Sequence, residues 1–392
     1  MKSKKKRKLV SHNGQFRKQI GLFEGVALIV SATVGAGILS IPYAVAKIGL
    51  LYGLLYIFGL GILMMGLNLL IGEIAIRTRK KLQLVGYAEK YLGPWGKWLM
   101  MILAYIMSFS VLTVYIIGQG ETISAILGGP DFLWSVVFWF LGSIIIIIGI
   151  RTVKKVELIL TLIILFIVIY IACISTPFIE LTLIKLPNFA TLLLPYGVIL
   201  FAYSGVAAIP EAEALLEKKK DSFKKAIIIA GLINIFIYTV FTLAIVGVTG
   251  DRTTEIATIG LGRELGRQVL IFGNLFAFFA MATSFLLNGL ALRDSLSWDL
   301  KLGKVLPVMA VVLVPITIFL LGVRSFIATI DVVGGVFISL QMLLLILIYW
   351  RAKQKGDLPV GRYKLHHSAI LVALLLIALS VGTVYSVAKL FL

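Results

Sequence analysis

Residues 31–44 read Ser31-Ala32-Thr33-Val34-Gly35-Ala36-Gly37-Ile38-Leu39-Ser40-Ile41-Pro42-Tyr43-Ala44, and residues 205–212 read Gly205-Val206-Ala207-Ala208-Ile209-Pro210-Glu211-Ala212. Both carry the pattern G-x-x-x-I-P-x-A, the second copy 168 positions after the first, and each lies inside a long apolar run. Two glycines two residues apart, Gly35 and Gly37, let a helix leave its geometry without a side-chain clash. Unwinding there frees N–H groups that hydrocarbon cannot satisfy, so they must line a cavity or meet a ligand. A half-helix starting near Gly37 would aim its positive end at an anion such as a carboxylate. Phe201-Ala202-Tyr203-Ser204-Gly205 offers the matching break. Close helix packing through small residues is the rival reading of Gly35 and Gly37, and the paired break weighs against it.

Working outward, apolar runs of bilayer length fill the chain. Of 392 residues 60% are hydrophobic and only 14% charged, with a mean hydropathy of +1.05, where a soluble protein would carry roughly a quarter charged residues. A span needs about 20 apolar residues. Spans are expected near 19–47, 49–76, 97–127, 132–150, 156–176, 191–216, 224–249, 267–298, 304–322, 325–350 and 368–391. The 168-residue offset carries spans 2 to 5 onto spans 7 to 10 to within about seven residues. Five spans per half is odd, so the halves face opposite ways, as in the inverted repeats of secondary transporters. The expected organisation is a basic cytoplasmic tail (1–18), two five-helix repeats (19–176 and 191–350) and an eleventh helix (368–391). Polar stretches between spans are short, and Gln83 to Tyr91 suits an interfacial helix.

The net charge of +19 would suggest nucleic-acid binding in a soluble protein. Here the basic residues sit in clusters between apolar segments, which speaks for orientation in a membrane and against nucleic acid. With the N-terminus inside, 30 of the 37 Lys and Arg fall on the cytoplasmic side, as the positive-inside rule requires. An odd span number then leaves the C-terminus outside, and the expected location is a plasma membrane. The single cysteine, Cys173, excludes an internal disulfide and a Cys-based metal site. His12, His366 and His367 lie at membrane edges, so an intramembrane histidine relay is excluded by inventory. With no metal cluster, catalytic dyad or sizeable soluble domain, the chain does not read as an enzyme, and no cofactor is expected beyond a coupling Na⁺ or H⁺.

The segment Thr33 to Tyr43 resembles the first helix of the amino acid–polyamine–organocation superfamily. Its closest likeness is to the amino acid/auxin permease and hydroxy/aromatic amino acid permease branches, where G-A-G-I-L-x-x-P-Y recurs. Ala282-Thr283-Ser284-Phe285-Leu286 followed by Leu292-Arg293-Asp294 resembles the same branches. The resemblance implies an all-α polytopic LeuT-type fold, a 5+5 inverted repeat with helices 1 and 6 broken. It implies carboxylate binding by backbone N–H groups around Gly35, Ala36, Gly37 and Ile38 beside Thr33. Span 6, at Phe201, Tyr203, Ser204 and Gly205, would receive the amino group and part of the side chain. Tyr115, read from its place in span 3, is a candidate to close over the substrate, against the commoner role of a tyrosine in an apolar helix as packing or belt material. For a sodium site it implies carbonyls of Ser31 and Val34 with Ala280, Thr283 and Ser284.

Coupling stays open between Na⁺ and a proton carried by a carboxylate. Span 5 has no lysine beyond its cytoplasmic start, which mildly favours Na⁺. Charged groups inside a membrane are costly and point to function. The candidate gating or coupling carboxylates are Glu24, Glu73, Glu121 and Asp331, each equally readable as an ordinary ion pair. Glu73 and Arg77 stand at i, i+4, and Glu213 is expected to meet cytoplasmic lysines. No acidic residue falls at either break, so neutral substrates are favoured. The sequence thus predicts an alternating-access amino acid permease. Its rival is a non-transporting amino-acid receptor subunit resembling spore-germination membrane proteins.

Overall fold

A chain in hydrocarbon has no water for its backbone, so long apolar runs close their hydrogen bonds internally as helices. The computed structural model describes every residue except 1–8, 13–14, 19, 150–164, 181–190, 217–219, 300–302, 304, 364, 366 and 392. A short antiparallel hairpin, β1 (Leu9–His12) and β2 (Gln15–Lys18), precedes the bundle. The first half then runs α1 (Leu22–Thr33), α2 (Gly37–Ile48), α3 (Leu50–Arg77), α4 (Leu84–Leu92), α5 (Pro94–Leu127), α6 (Asp131–Ile148) and α7 (Leu165–Phe178). The second half runs α8 (Tyr196–Ala202), α9 (Ala208–Leu215), α10 (Lys220–Thr249), α11 (Ala257–Leu265), α12 (Arg267–Asp299) and α13 (Val305–Leu320). It ends with α14 (Phe326–Val332) and α15 (Ser339–Lys355), joined by a π-helical stretch at Val333–Ile338, and α16 (Ser368–Lys389) follows.

Among the described residues seven helices are long and apolar enough to cross a bilayer, and α1 with α2, bent by 58° at their break, makes an eighth span. The shorter α7 and α13 and the broken pair α8/α9 stand where the other three expected spans fall. Residues 156–164 of the fifth span lie outside the described residues. Large apolar side chains such as Leu55, Phe140, Ile147 and Phe236 are exposed on the outer faces of these helices, the expected surface where lipid is the solvent.

The two halves share a signature that the residue pattern did not disclose. In each, the long helix after the second span of the half (α5 or α12) is preceded by a nine-residue helix, α4 or α11. Each short helix stops at a glycine with positive φ, Gly93 at 79° and Gly266 at 101°, a conformation that a β-carbon makes costly. The long helix begins at the next residue. The interfacial helix expected at 83–91 is α4; α11 occupies a stretch read only as a connection.

The eleventh helix is anchored to the α14–α15 span and to α8. A β-carbon on Gly335 would overlap Ser386, and one on Gly382 would overlap the Tyr196 ring. The Tyr196 hydroxyl bonds Ser339 at 2.8 Å, and Lys389 on α16 donates to Asp331 on α14 at 2.7 Å. Asp331 is buried against Gly197 of α8, while Lys389 is half-exposed. Removing one partner of a buried pair leaves an uncompensated charge. Lys389→Ala is therefore expected to destabilise the protein by about 2 kcal/mol, between the values for exposed and fully buried pairs. In detergent melting curves the double variant Asp331→Ala/Lys389→Ala should recover part of that loss.

Candidate functional site

The two breaks seat on each other. A β-carbon on Gly37, the first residue of α2, would lie 2.6 Å from the Cα of Ala202, the last residue of α8. A β-carbon on Gly205 would in turn overlap the side chain of Thr33, the last residue of α1. Each glycine thus makes room for the C-terminal end of the opposite half-helix. Those ends carry the negative poles of two helix dipoles. The buried hydroxyl of Tyr238, on α10, lies 3.1 Å from the Thr33 carbonyl and 2.7 Å from the Ala202 carbonyl, so its single proton is shared between the two half-helix ends.

The amino ends of the breaks are left unsatisfied. Among the described residues no acceptor meets the N–H groups of Gly35, Ala36 and Gly37, while Ile38 N–H reaches the Gly35 carbonyl at 3.4 Å. They border a cavity of about 460 Å³ lined by residues from α1, α5, α8, α9 and α12, within the usual range for small-molecule sites. The cavity extends from the breaks past Leu28 and Ala32 of α1, Met107 and Val111 of α5, Glu211 of α9, and Asn288 and Ala291 of α12. It therefore runs toward the N-terminal ends of α1 and α5. On the opposite side of the breaks the bundle is shut: Met281 and Phe326 fill the space a β-carbon on Gly118 would need. There Gln119 donates to the Phe278 carbonyl at 2.7 Å.

Of the residues singled out in the sequence, Thr33, Gly35, Ala36, Gly37, Tyr115, Phe201, Ser204 and Gly205 line this cavity, and so do Ser31 and Ser284. The hydroxyls of Tyr115 and Ser284 interact. Ile38 and Tyr203 are not among the lining residues. Ile38 is fully buried, and the Tyr203 hydroxyl donates to the Ile57 carbonyl on α3 at 3.0 Å while its ring lies 5.0 Å from that of Tyr238. Val34 and Ala280 are buried away from the cavity, and the Thr283 hydroxyl bonds back to its own helix at the Phe279 carbonyl, 2.8 Å.

None of the four candidate carboxylates lines the cavity. Glu24 caps α1 by accepting from the Gly21 N–H at 2.7 Å. Glu73 takes both the Nε and an Nη of Arg77, at 2.9 and 2.7 Å, with the Tyr349 hydroxyl at 3.5 Å. Glu121 lies near Glu255 and Asp131 on the sealed side, and Asp331 is tied to Lys389. Glu213 pairs with Lys81, which follows α3. The cavity residues that sequence reasoning missed are mainly Met107, Val111, Leu287, Asn288 and Ile338. They reach the site through the packing of α5, α12 and the π-helical stretch before α15, which no local pattern announces.

A broken-helix bundle with two breaks packed reciprocally around a mid-bundle cavity defines a LeuT-fold membrane transporter. A solved structure of MhsT in complex with L-phenylalanine has this fold at a TM-score of 0.65 and 16% identity, covering 95% of this chain and 99% of that one. The chain belongs to the tryptophan/tyrosine permease family, whose profile matches residues 18–386. It is 24% identical over 338 residues to glutamine transporter 2 of Aliivibrio fischeri, covering 81% of this chain and 86% of that protein. It is 24% identical over 360 residues to tyrosine-specific transport system 1 of Haemophilus influenzae, covering 86% and 90%.

The geometry makes the break testable apart from transport. Tyr238→Phe leaves a buried carbonyl unpaired, which costs about 1–3 kcal/mol. Gly37→Ala forces its new methyl against backbone rather than against a flexible side chain. Both variants are expected to melt below wild type in detergent, and Tyr203→Phe, which loses a single bond to α3, is expected to lose less than Tyr238→Phe.

Proposed function

We propose that this protein is a secondary active amino acid permease that works by alternating access and favours neutral substrates. The observation that carries the reading is the set of acceptor-free N–H groups at Gly35, Ala36 and Gly37, facing a cavity bounded by both breaks. Three converging donors at the positive end of α2 suit a carboxylate. The carbonyl ends of α1 and α8 opposite them suit an ammonium group, with Phe201, Ser204 and Gly205 beside it. The walls contributed by Met107, Val111, Leu287 and Ile338 suit an apolar or aromatic side chain. Glu211 is the one carboxylate among the lining residues, and it already has an interaction within the chain. The relatives named for tyrosine and glutamine and the family's own name favour neutral substrates.

Either a Na⁺ or a proton gradient drives the cycle. For Na⁺, Ser31 and Ser284 share the cavity beside Gly35. Recruiting Thr283 requires its hydroxyl to leave the Phe279 carbonyl, and Val34 and Ala280 contribute through their main chain. For a proton, Glu121 remains the carboxylate to test first, because Glu24 is occupied as a cap, Glu73 by Arg77 and Asp331 by Lys389. We place the N-terminus in the cytoplasm and the C-terminus outside, from the basic clusters, so the present conformation faces the cytoplasm across a plasma membrane.

In proteoliposomes, labelled neutral amino acids are expected to accumulate under one of the two imposed gradients, and Gly37→Val should reduce uptake to background. Ligand-induced thermal stabilisation without flux under either gradient would point instead to a receptor. For the orientation, Ala291→Cys in a Cys173→Ala background should react with a membrane-impermeant maleimide in inside-out vesicles. It should stay unlabelled in right-side-out vesicles, and the reverse pattern would overturn the assigned topology.

A further inference from the structure

The polar groups of the cavity are not evenly spread. Ser31, Tyr115, Ser204 and Ser284 gather at the breaks, where the charged ends of an amino acid belong. Two polar side chains stand apart from them: Glu211 on α9, which already has an interaction within the chain, and Asn288 on α12, one turn beyond Ser284. Its Nδ2 donates to the Ser284 carbonyl at 2.9 Å. Only the amide NH₂ can donate to a carbonyl, so this bond fixes which end of the amide is which. No other interaction of Asn288 occurs among the described residues, and its Oδ1 is not among the sealed, unpaired polar atoms of the interior. The oxygen is therefore an open acceptor in a residue that lines the cavity.

Its surroundings give that acceptor a consequence. Met107, Val111, Leu287 and Ala291 form the neighbouring wall, and none of their side chains has a donor. The distance from Ser284 to Asn288 along the helix is about 6 Å at 1.5 Å per residue, so the side chain of an amino acid held at the breaks is long enough to reach this amide. A hydrocarbon end would cover the oxygen and strip it of water with nothing in return, whereas an O–H or N–H end would satisfy it. A site that hydrogen-bonds one substrate rejects the analogue lacking that group more strongly than a purely apolar pocket distinguishes shapes.

We infer that Asn288 sets substrate specificity: its amide oxygen accepts a hydrogen bond from the end of the substrate side chain. The favoured substrates are then neutral amino acids whose side chains end in a donor, namely a phenol, an indole or a carboxamide. This rests on the reading of the cavity as the amino acid site.

The test is competition for uptake into proteoliposomes by matched pairs: tyrosine against phenylalanine, tryptophan against 1-methyltryptophan, and glutamine against methionine. Wild type is expected to prefer the donor-bearing member of at least one pair by about three- to tenfold, the worth of one neutral hydrogen bond, and the pair with the largest ratio names the donor. Asn288→Leu, close in volume, should bring that ratio to about one while uptake of the hydrocarbon member is kept. A merely structural role for Asn288 would lower both members together and leave the ratio unchanged. Should the leucine variant fail to fold, Asn288→Ala, which opens space rather than filling it, provides the same ratio. Equal competition within every pair by wild type, or an unchanged ratio in a folded variant, overturns the assignment while leaving the permease reading standing. Absence of any amino acid uptake by wild type overturns both.

Discussion

The mutual seating of the two helix breaks is the constraint on which the rest of the bundle depends. Broken helices at membrane depth leave backbone groups that lipid cannot satisfy, and such breaks persist only where protein or a cavity meets them. Here the solution is shared. Gly37 and Gly205 let each half-helix approach the other closely, and the Tyr238 hydroxyl serves the carbonyl ends of both. The N–H groups at Gly35, Ala36 and Gly37 meet no acceptor among the described residues and remain as an open polar face. The candidate site is thus the part of the breaks that the protein itself leaves unsatisfied.

The pattern of packing follows from that junction. Helices α1, α2 and α3 pack with α8, α9 and α10, whereas α5 packs with α6, α12 and α13. The cavity lies between the two groups, with α1, α8 and α9 on one wall and α5 and α12 on the other. Because the breaks are bound to one another, they belong to one body. The near-repetition of a short helix, a left-handed glycine and a long helix in each half, at Gly93 and Gly266, frames the second body in the same way.

Much of this was legible in the residues, for definite reasons. Breaks need glycine and proline, and these recur at a fixed offset, so Gly37 and Gly205 could be paired on paper. The paired approach to Thr33 and Ala202 follows from that symmetry. The role of Tyr238 does not, because a tyrosine in an apolar helix carries no sign of where its hydroxyl ends. Tyr203 shows the converse: its place in the break suggested the site, yet its side chain leaves the last turn of α8 toward α3 and bonds Ile57. Helix α11 went unseen because its glycines, Gly260 and Gly262, read as connection, although Gly262 is where Leu270 of α12 packs closest. The carboxylates were legible as charges but not as roles: Glu24 became a cap and Glu73 the partner of Arg77, the latter because i, i+4 spacing is itself a local signal.

On the permease reading, the two sides of the cavity differ in what a change of access must break. Toward the N-terminal face the ties are polar and peripheral, as in the pairs Lys81–Glu213 and Lys90–Asp357 and the backbone bond from Ile20 to Leu215. Surface pairs of this kind are worth little each and are screened by salt. On the far side the closure is apolar, with Met281 and Phe326 packed at Gly118 and one amide bond from Gln119. Opening that side therefore means separating the body of the breaks from the α5–α12 body along a close-packed seam. Such a seam is bistable rather than gradually deformable. The breaks need not come apart in this motion, since Gly37, Ala202, Gly205 and Thr33 travel together, and the same N–H groups can hold one substrate while either face is open.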